Sequence, residues 1–292
     1  MDYILIFNGL GNQMSQYALY LSKKAKGQKV DYLCRNTDHN GIELERLFGI
    51  DCRTTFAKWC MKRIRRFIIT HKTFLGLQHI RHYFLQKGYS FYDEAGKYNL
   101  HTTALEEGKG IRFLHGGWHR QDYFSNVFDE VRKTYTFPPF TDARNIEIAK
   151  VAKAPNAVAI HIRKGDYMSK NLINFFGAVC SDAYYQNALS EIESRIADPH
   201  FYVFSNDVAE ARRILGNRHA TFVDWNKKKD SWQDMALMSQ FHHIIIANST
   251  FSWWAAWLGD ADNKHVIRPP FFVHNDPSSD IFPETWQMVD NK

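Results

Sequence analysis

Residues 157–167 read AVAIHIRKGDY, an apolar run that ends in a charged loop, and they open the most regular part of the chain. From this run to the C-terminus, short apolar stretches alternate with helical patterns. The predicted strands are 157–162, 201–205, 221–223, 243–247 and 265–267, and the predicted helices between them are 182–196, 208–215, 231–240 and 252–258. This alternation indicates an α/β fold with a parallel sheet covered on both faces. Such sheets bind ligands beyond the carboxyl ends of their strands.

The N-terminal half predicts a second, less regular α/β unit. Its predicted strands are 3–7, 29–34 and 112–115, its predicted helices are 12–26 and 121–134, and residues 42–98 are predicted to be mostly helical. Pro138-Pro139 and the polar residues after them mark the domain boundary. We therefore expect two lobes, residues 1–145 and 146–292, with a cleft between them. An alternative is that the last helix returns to the N-terminal lobe.

The composition is that of a soluble globular protein, with 45% hydrophobic and 23% charged residues. No apolar run approaches the roughly 20 residues that a membrane-spanning helix needs. The N-terminus lacks the basic and apolar stretches of a signal peptide. The four cysteines, at positions 34, 52, 60 and 180, include no CxxC pair. The sequence therefore predicts a cytoplasmic protein with reduced thiols.

The net charge of +6 favours acidic ligands without choosing among them. The densest basic stretch, KWCMKRIRRF at residues 58–67, mixes cations with bulky apolar residues on a predicted helix. It fits a solvated helix packed on one side, and it also fits a surface that contacts an anionic membrane at the inner face. A nucleic-acid binder is disfavoured because no recognised module surrounds the stretch.

The loop GLGNQ at residues 9–13 joins a predicted strand to a predicted helix. Two glycines allow a tight turn and a close approach to a ligand, and the N–H groups at a helix start favour an anion. The pattern is neither GxGxxG, which a nicotinamide-dependent oxidoreductase would need, nor a P-loop. A purely structural turn and a phosphate-binding loop both fit this segment.

The segment HIRKGDY at residues 161–167 lies at the carboxyl end of a predicted strand. His161 and Arg163 point to the same side because side chains alternate along a strand. A guanidinium suits two-point contact with a phosphate. The segment therefore fits a nucleotide-phosphate site, and it equally fits a strand-end ion pair between Arg163 and Asp166.

The segment NSTFSWWAAW at residues 248–257 also follows a predicted strand. Asn, Ser and Thr are strong N-cap residues, so a well-capped buried helix is one interpretation. The same hydroxyl and N–H groups at a helix start are a second place for a diphosphate. The two interpretations are compatible.

Candidate metal sites are poor. Asp260-Ala261-Asp262 has the Asp-x-Asp form but lies in an apparent turn, and His115 and His119 are separated by two glycines that break a helix. His242-His243 adjoins an apolar strand, and no Cys/His cluster has zinc spacing. No bound metal is predicted.

Together these segments resemble the α-1,2-fucosyltransferases of glycosyltransferase family 11. Residues 8–18 match the family pattern GGLGNQMFQYA except at Asn8 and Ser15, and residues 161–167 match HxRRGDY except at Lys164. Residues 248–256 match NSTFSWWAA throughout, and residues 116–124 give a weaker match in which His119 replaces Gln. The resemblance spans nearly the whole chain.

The resemblance implies a GT-B fold, two Rossmann-like lobes with the acceptor on the N-terminal side and the donor mainly in the C-terminal lobe. It implies inverting, metal-independent transfer of fucose from GDP-fucose to O2 of a terminal galactose on an oligosaccharide. The implied donor-binding residues are Gly11, Asn12, His161, Arg163, Asn248, Ser249, Thr250 and Phe251. A looser likeness to protein O-fucosyltransferases suggests that Asp234 binds the guanine edge.

The acceptor hydroxyl must lose a proton, and Asp166 and His161 are the candidate bases. Arg163 would stabilise the charge that develops on the leaving diphosphate, so these three residues are the predicted catalytic group. A lipid-linked repeat unit at the cytoplasmic membrane face is one acceptor that fits, which would place the protein in polysaccharide biosynthesis. A non-catalytic nucleotide- or carbohydrate-binding protein on the same scaffold is the rival interpretation.

Overall fold

The computed structural model describes residues 1–35, 39–69, 75–94, 97–259 and 264–292, with the backbone alone for residues 75–78. The chain forms two compact units, Met1–Thr136 and Phe137–Lys292. This division falls nine residues before the predicted boundary, and residues 264–292 belong to the second unit. In the described part of the chain, no helix has the length and apolarity needed to span a bilayer.

The first unit contains a four-stranded parallel sheet in the order β2-β1-β4-β3. Its elements are β1 (Asp2–Ile6), α1 (Leu10–Ala25), β2 (Val30–Cys34), α2 (Glu43–Phe48), α3 (Phe56–Ile69), α4 (Leu75–Gln86), β3 (Tyr89–Asp93), α5 (Thr102–Leu105), β4 (Ile111–His115), a 3₁₀ turn (Gln121–Phe124) and α6 (Phe128–Thr134). The strand interior is apolar, as a parallel sheet covered by helices requires.

The prediction that residues 42–98 are mostly helical is confirmed, although their last part also forms the edge strand β3. One prediction for the first unit was wrong. The single helix predicted over 121–134 is broken between the 3₁₀ turn and α6. At this break the Asn126 side chain accepts a hydrogen bond from the Ser22 hydroxyl (2.6 Å) and donates one to the Ser22 carbonyl (3.2 Å). These bonds hold the turn against α1.

The second unit contains a six-stranded parallel sheet. Its elements are α7 (Ala143–Val151), β5 (Ala157–Ile162), α8 (Asp182–Arg195), β6 (His200–Ser205), α9 (Val208–Leu215), β7 (Ala220–Val223), α10 (Trp232–Met238), β8 (His243–Ile245), α11 (Thr250–Leu258), β9 (His265–Arg268) and β10 (Gln287–Met288). The regular alternation predicted from the sequence is confirmed, and α7 and β10 add to it.

The strand order of this sheet fixes where a ligand can bind. From one edge the order is β7-β6-β5-β8-β9-β10, so the chain winds outward in one direction from β5 and in the other from β8. This is the 3-2-1-4-5-6 order of doubly wound dinucleotide-binding folds. In such sheets the ligand crevice opens at the carboxyl ends of the two central strands, where the winding direction reverses. The crevice here therefore lies beyond the ends of β5 and β8.

Candidate active site

The two motifs predicted separately from the sequence meet at this reversal point. Residues 161–167 cover the end of β5 and the loop after it, and residues 248–251 cover the end of the loop after β8 and the start of α11. The Tyr167 hydroxyl donates a hydrogen bond to the Asn248 carbonyl across the gap between the loops (3.2 Å). The His161 and Phe251 rings lie 5.9 Å apart, centre to centre. Strand order thus makes one site from segments more than eighty residues apart in sequence.

Arg163 is held in place but keeps hydrogen-bonding capacity for a ligand. Its Nη2 donates to Asp166 Oδ2 at 2.8 Å, and its guanidinium lies 5.3 Å from the centre of the Tyr167 ring. Its backbone N–H donates to the Tyr185 hydroxyl (3.3 Å). The Nε atom is buried and has no hydrogen-bond partner among the described residues. A buried donor on a cation is costly to leave unpaired, so an anionic ligand at this position would satisfy it.

Asp166 positions Arg163 rather than standing free. Its carboxylate accepts from Arg163 and, through Oδ1, from the Asn206 amide at 2.9 Å. The preceding residue is Gly165, where a Cβ atom would lie 2.6 Å from the Asn206 amide nitrogen. A side chain at position 165 would therefore force the Asn206 amide to shift from this position. The ion pair predicted for this motif is therefore present, whereas the anion site stays a prediction that the unpaired Nε atom of Arg163 leaves open.

His161 is a neutral imidazole. Burial, with a smaller contribution from the charge of Arg163, lowers the pKa of His161 to about 3. Its Nδ1 atom is buried and has no hydrogen-bond partner in the described structure. The backbone carbonyl of His161 accepts from the Tyr185 hydroxyl (3.3 Å), which fixes the end of β5. With this low pKa, His161 is a poor proton acceptor but a suitable neutral hydrogen-bonding partner for a nucleotide.

The start of α11 completes the site. Ser249 is the N-cap, and its hydroxyl accepts from the Phe251 N–H (3.3 Å). Thr250 is the first helical residue, so it lies where the helix dipole favours negative charge. The Asn248 amide donates to two backbone carbonyls, of Phe176 and Phe272, while its Oδ1 is buried with no partner among the described residues. The structural interpretation of this motif, a well-capped helix, is realised here.

Asp234 lies on α10, which packs against α11. Burial raises the pKa of its carboxyl to about 7, although the residue as a whole keeps some exposed surface. Asn226 donates to Asp234 Oδ1 at 2.8 Å and is itself bound by Asn145 at 2.9 Å. Asn145 also accepts from the Trp225 indole (2.7 Å). The carboxyl is therefore held in a fixed orientation by an amide network that the sequence did not reveal.

Gly11 and Asn12 belong to the first unit, in the first turn of α1. The glutamines of the same motif have structural roles. The Gln13 amide donates to the Asn8 and Gly41 carbonyls (2.7 and 2.8 Å), and Gln16 accepts from the Phe7 N–H (2.9 Å). Both side chains are fully buried. They fix the loop before α1, which presents Gly11 and Asn12 at the carboxyl edge of the first sheet.

Two of the departures from the family pattern contact each other. The Ser15 hydroxyl lies 3.1 Å from His119 Nδ1 and donates to the Gly11 carbonyl (3.1 Å). Both side chains are buried, and burial lowers the pKa of His119 to about 3. Another departure, Lys164, places its ammonium 3.5 Å from Asp182 at the start of α8. This ion pair links the loop after β5 to the start of α8.

The first unit also contains a buried carboxyl that the sequence did not single out. Glu94 follows β3 and accepts from the Gly117 N–H at 2.5 Å. Burial raises the pKa of this carboxyl to about 7, against the opposing effect of bonds from the Gly117 and Trp118 N–H groups. The side chain holds the turn after β4, where Trp118 has a positive φ of 55°. No local sequence pattern marks this contact.

No group of three or more His, Cys, Asp or Glu side chains is placed to hold a metal ion in the described ranges. His115 contacts Asp93 (3.1 Å), His119 contacts Ser15, and His243 stacks on His265 at 5.1 Å. The sequence segment 260–262, the Asp-x-Asp candidate, lies outside the described residues.

The chain is similar to known glycosyltransferases over most of its length. A model of the family described as glycosyl transferase family 11 matches residues 58–289. An alpha-1,2-colitosyltransferase of Escherichia coli is 29% identical over 97% of this chain and 96% of its own length. Galactoside alpha-(1,2)-fucosyltransferase 1 of Leontocebus fuscicollis is 26% identical over 50% of this chain, and the match covers 42% of that protein, less than half its length.

The solved structure of the fucosyltransferase NodZ from Bradyrhizobium has a similar fold, with a TM-score of 0.52 at 10% sequence identity. The match covers 87% of this chain and 91% of that one. The predicted α/β fold of GT-B type, built from two Rossmann-like units, is confirmed. Because the family model matches about four-fifths of the sequence, this chain belongs to glycosyltransferase family 11 and is a glycosyltransferase.

Proposed function

We propose that this enzyme transfers L-fucose from GDP-fucose to O2 of a terminal galactose, with inversion at the sugar anomeric carbon and without a metal ion. The observation that carries the donor assignment is the site at the β5/β8 reversal point. There the unpartnered Nε of Arg163, the neutral His161 and the start of α11 lie at the ends of the two central strands of a doubly wound sheet. The galactoside acceptor rests on the α-1,2-fucosyltransferase relative.

In this proposal the diphosphate of GDP lies between Arg163 and the N-terminus of α11. Negative charge develops on the β-phosphate as the bond to fucose breaks. A guanidinium together with a helix N-terminus stabilises this charge where other enzymes use a metal cation. Ser249, Thr250 and Phe251 line this position. Asp166 keeps the guanidinium oriented, as its bond to Arg163 allows.

Asp234 is the proposed guanine contact. An ionised carboxylate can accept from both N1–H and the 2-amino group of guanine, and adenine offers no such pair of donors. Its pKa of about 7 lets the carboxyl ionise near neutral pH. His161 and Asn248 provide neutral hydrogen-bonding groups beside the nucleotide. Gly11 and Asn12 are proposed as further donor contacts on family likeness alone, with the first unit as the acceptor side.

The proton of the acceptor hydroxyl needs an acceptor of its own. Asp166 is engaged by Arg163 and Asn206, and burial holds the pKa of His161 near 3. We propose that both side chains position the donor instead, and that the acceptor proton passes to water as the new C–O bond forms. Transition-state stabilisation of the leaving diphosphate then supplies the main catalytic effect.

Colitosyl transfer is the second candidate, because the colitosyltransferase relative matches nearly the whole of this chain. Colitose is fucose without the 3-hydroxyl, so the two sugars differ by one hydrogen-bonding group. A site that binds this hydroxyl rejects the deoxy sugar strongly, whereas a site without such a contact discriminates weakly. Parallel assays with GDP-fucose and GDP-colitose decide between the two donors.

The test is GDP release from GDP-fucose in the presence of lactose and, in parallel, of other β-galactosides, each with and without a chelator. The proposal expects acceptor-dependent release that the chelator leaves unchanged, and an α-linkage to galactose O2 in the product by NMR. Release that stops with chelator contradicts the metal-independent part. Binding of GDP-fucose without turnover on any galactoside favours the non-catalytic alternative.

A further inference from the structure

Positive charge is concentrated in one segment of the first unit. Residues 52–92 contain nine Lys or Arg and no Asp or Glu, whereas the whole chain has a net charge of only +6. The rest of the chain is therefore net negative, at −3. Most of this segment forms α3, α4 and β3. Such asymmetry marks a surface for an anionic partner rather than a general solubilising charge.

Helix α3 exposes large aromatic side chains among these cations. Phe56 is 80% exposed and Trp59 is 47% exposed, and their rings lie 6.0 Å apart in a stacked arrangement. The Arg63 guanidinium lies 5.1 Å from the centre of the Trp59 ring. Arg66 is also exposed. Residues 56, 59, 63 and 66 follow helical spacing, so they form one stripe along the helix, which we call the α3 stripe.

The opposite face of α3 is already used. Ile68 is buried in the core of the first unit, and Met61 and Ile64 pack against the same core. Because these residues supply the core contacts of α3, the α3 stripe is not needed for packing within the first unit. Exposing Phe56 and Trp59 to water is unfavourable, and such aromatic residues at the surface mark an interaction site.

Helix α4 also exposes apolar side chains beside cations. It contacts α3, and both helices contact β3. Tyr83 is 55% exposed, with the Lys87 ammonium 5.8 Å from the centre of its ring, and Ile80 and Leu85 are partly exposed. Among the described residues, the two helices thus combine exposed aromatic and aliphatic groups with cations and carry no acidic side chain.

We propose that the α3 stripe, extended by Tyr83 and Lys87 of α4, docks the protein peripherally on an anionic lipid bilayer. Aromatic side chains insert at the level of the headgroups, while Lys and Arg reach the lipid phosphates. Each cation at such a surface contributes about fivefold in affinity, from roughly 1 kcal/mol. The absence of acidic residues over the whole segment is the charge pattern that this partner requires. The inference is independent of the donor and acceptor proposed above.

The test is co-sedimentation of the full chain with vesicles of phosphatidylcholine alone and of phosphatidylcholine with phosphatidylglycerol. We expect binding only to the anionic vesicles, weakened by salt. The double variant Arg63→Glu/Arg66→Glu should bind at least about 25-fold more weakly, from two charges at about fivefold each. The matched control is Lys150→Glu/Arg195→Glu, two exposed cations of the second unit, which should bind as the parent chain does.

A second variant separates insertion from charge. Phe56→Ser/Trp59→Ser keeps every cation and should also weaken binding, because it removes the inserted rings. Trp59→Phe, compared with the parent chain, isolates the Trp59 fluorescence, which should shift to the blue on anionic vesicles. Thermal melting confirms that each variant is folded. Sedimentation with neutral vesicles equal to that with anionic vesicles overturns the proposal. Parent-like binding by both variants of the α3 stripe, Arg63→Glu/Arg66→Glu and Phe56→Ser/Trp59→Ser, also overturns it. Binding to single-stranded DNA that displaces the vesicles and needs the same residues assigns the stripe to nucleic acid instead.

Discussion

Arg163 is the residue on which the donor site depends most. A diphosphate bound to the unpartnered Nε of Arg163 and to a second N–H of the same guanidinium would gain two charge-assisted hydrogen bonds. Each such bond contributes about 1.5–3 kcal/mol. Arg163→Ala should therefore cost roughly 3–6 kcal/mol of transition-state stabilisation, which corresponds to about 150- to 25,000-fold in kcat/KM for the donor. Arg163→Lys should lie between, because an ammonium keeps the charge but loses the planar two-point contact.

The assay is donor-dependent turnover together with calorimetric binding of GDP. The control is Arg195→Ala on α8, an exposed arginine whose Nε pairs with Glu191 at 2.5 Å. Arg195 lies at the end of α8 that points away from the motif loops, so its loss should leave both measurements unchanged. If Arg163→Ala is folded by circular dichroism and yet binds GDP and turns over within a few-fold of the parent enzyme, the site assignment is wrong.

Three further results are expected. Asp166→Asn should lower kcat/KM by about tenfold or less without changing the pH profile if Asp166 only orients Arg163, whereas loss of a general base costs about a hundredfold or more. GDP affinity should fall as pH drops below about 7, because protonation of Asp234 removes the guanine acceptor, and Asp234→Asn should abolish this dependence in calorimetry. His119 should make the fold acid-sensitive, because its pKa is near 3 when folded and 6.5 when unfolded. Its stabilisation of the fold is complete above pH 6.5 and is lost as the pH falls toward 3, at up to about 1.4 kcal/mol per pH unit. The variant His119→Gln should reduce this slope in urea unfolding.

The sequence predicted the second unit well for a physical reason. Its central strands β5 and β8 are buried on both faces. Their sequences are therefore largely continuous apolar runs, which are typical of the buried strands of a parallel sheet. β3 was missed because it is a sheet edge with half-exposed aromatic residues, which fit a helix surface as readily as a strand. At the break before α6, Asn126 bonds to Ser22, a contact between residues over one hundred positions apart that no local pattern shows.

The site followed the same division. The sequence singled out Arg163, His161 and the cap residue Ser249 because they stand at or after the ends of strands, where a parallel sheet collects its functional groups. Asn206, Tyr185 and Asn226 were not found, since each acts only through a tertiary contact with a residue of the motifs or with Asp234. The pairing of Ser15 with His119 likewise requires the fold. Local pattern singled out the loops that we propose to carry the chemistry, but not the residues that hold their side chains.

The most direct test of the central claim is a crystal structure of this protein with GDP. We expect the diphosphate beyond the carboxyl ends of β5 and β8, with a phosphate oxygen within about 3 Å of Arg163 Nε, and the guanine edge on the Asp234 carboxylate. A nucleotide bound elsewhere, with Arg163 Nε and the start of α11 left without a ligand, would contradict the account.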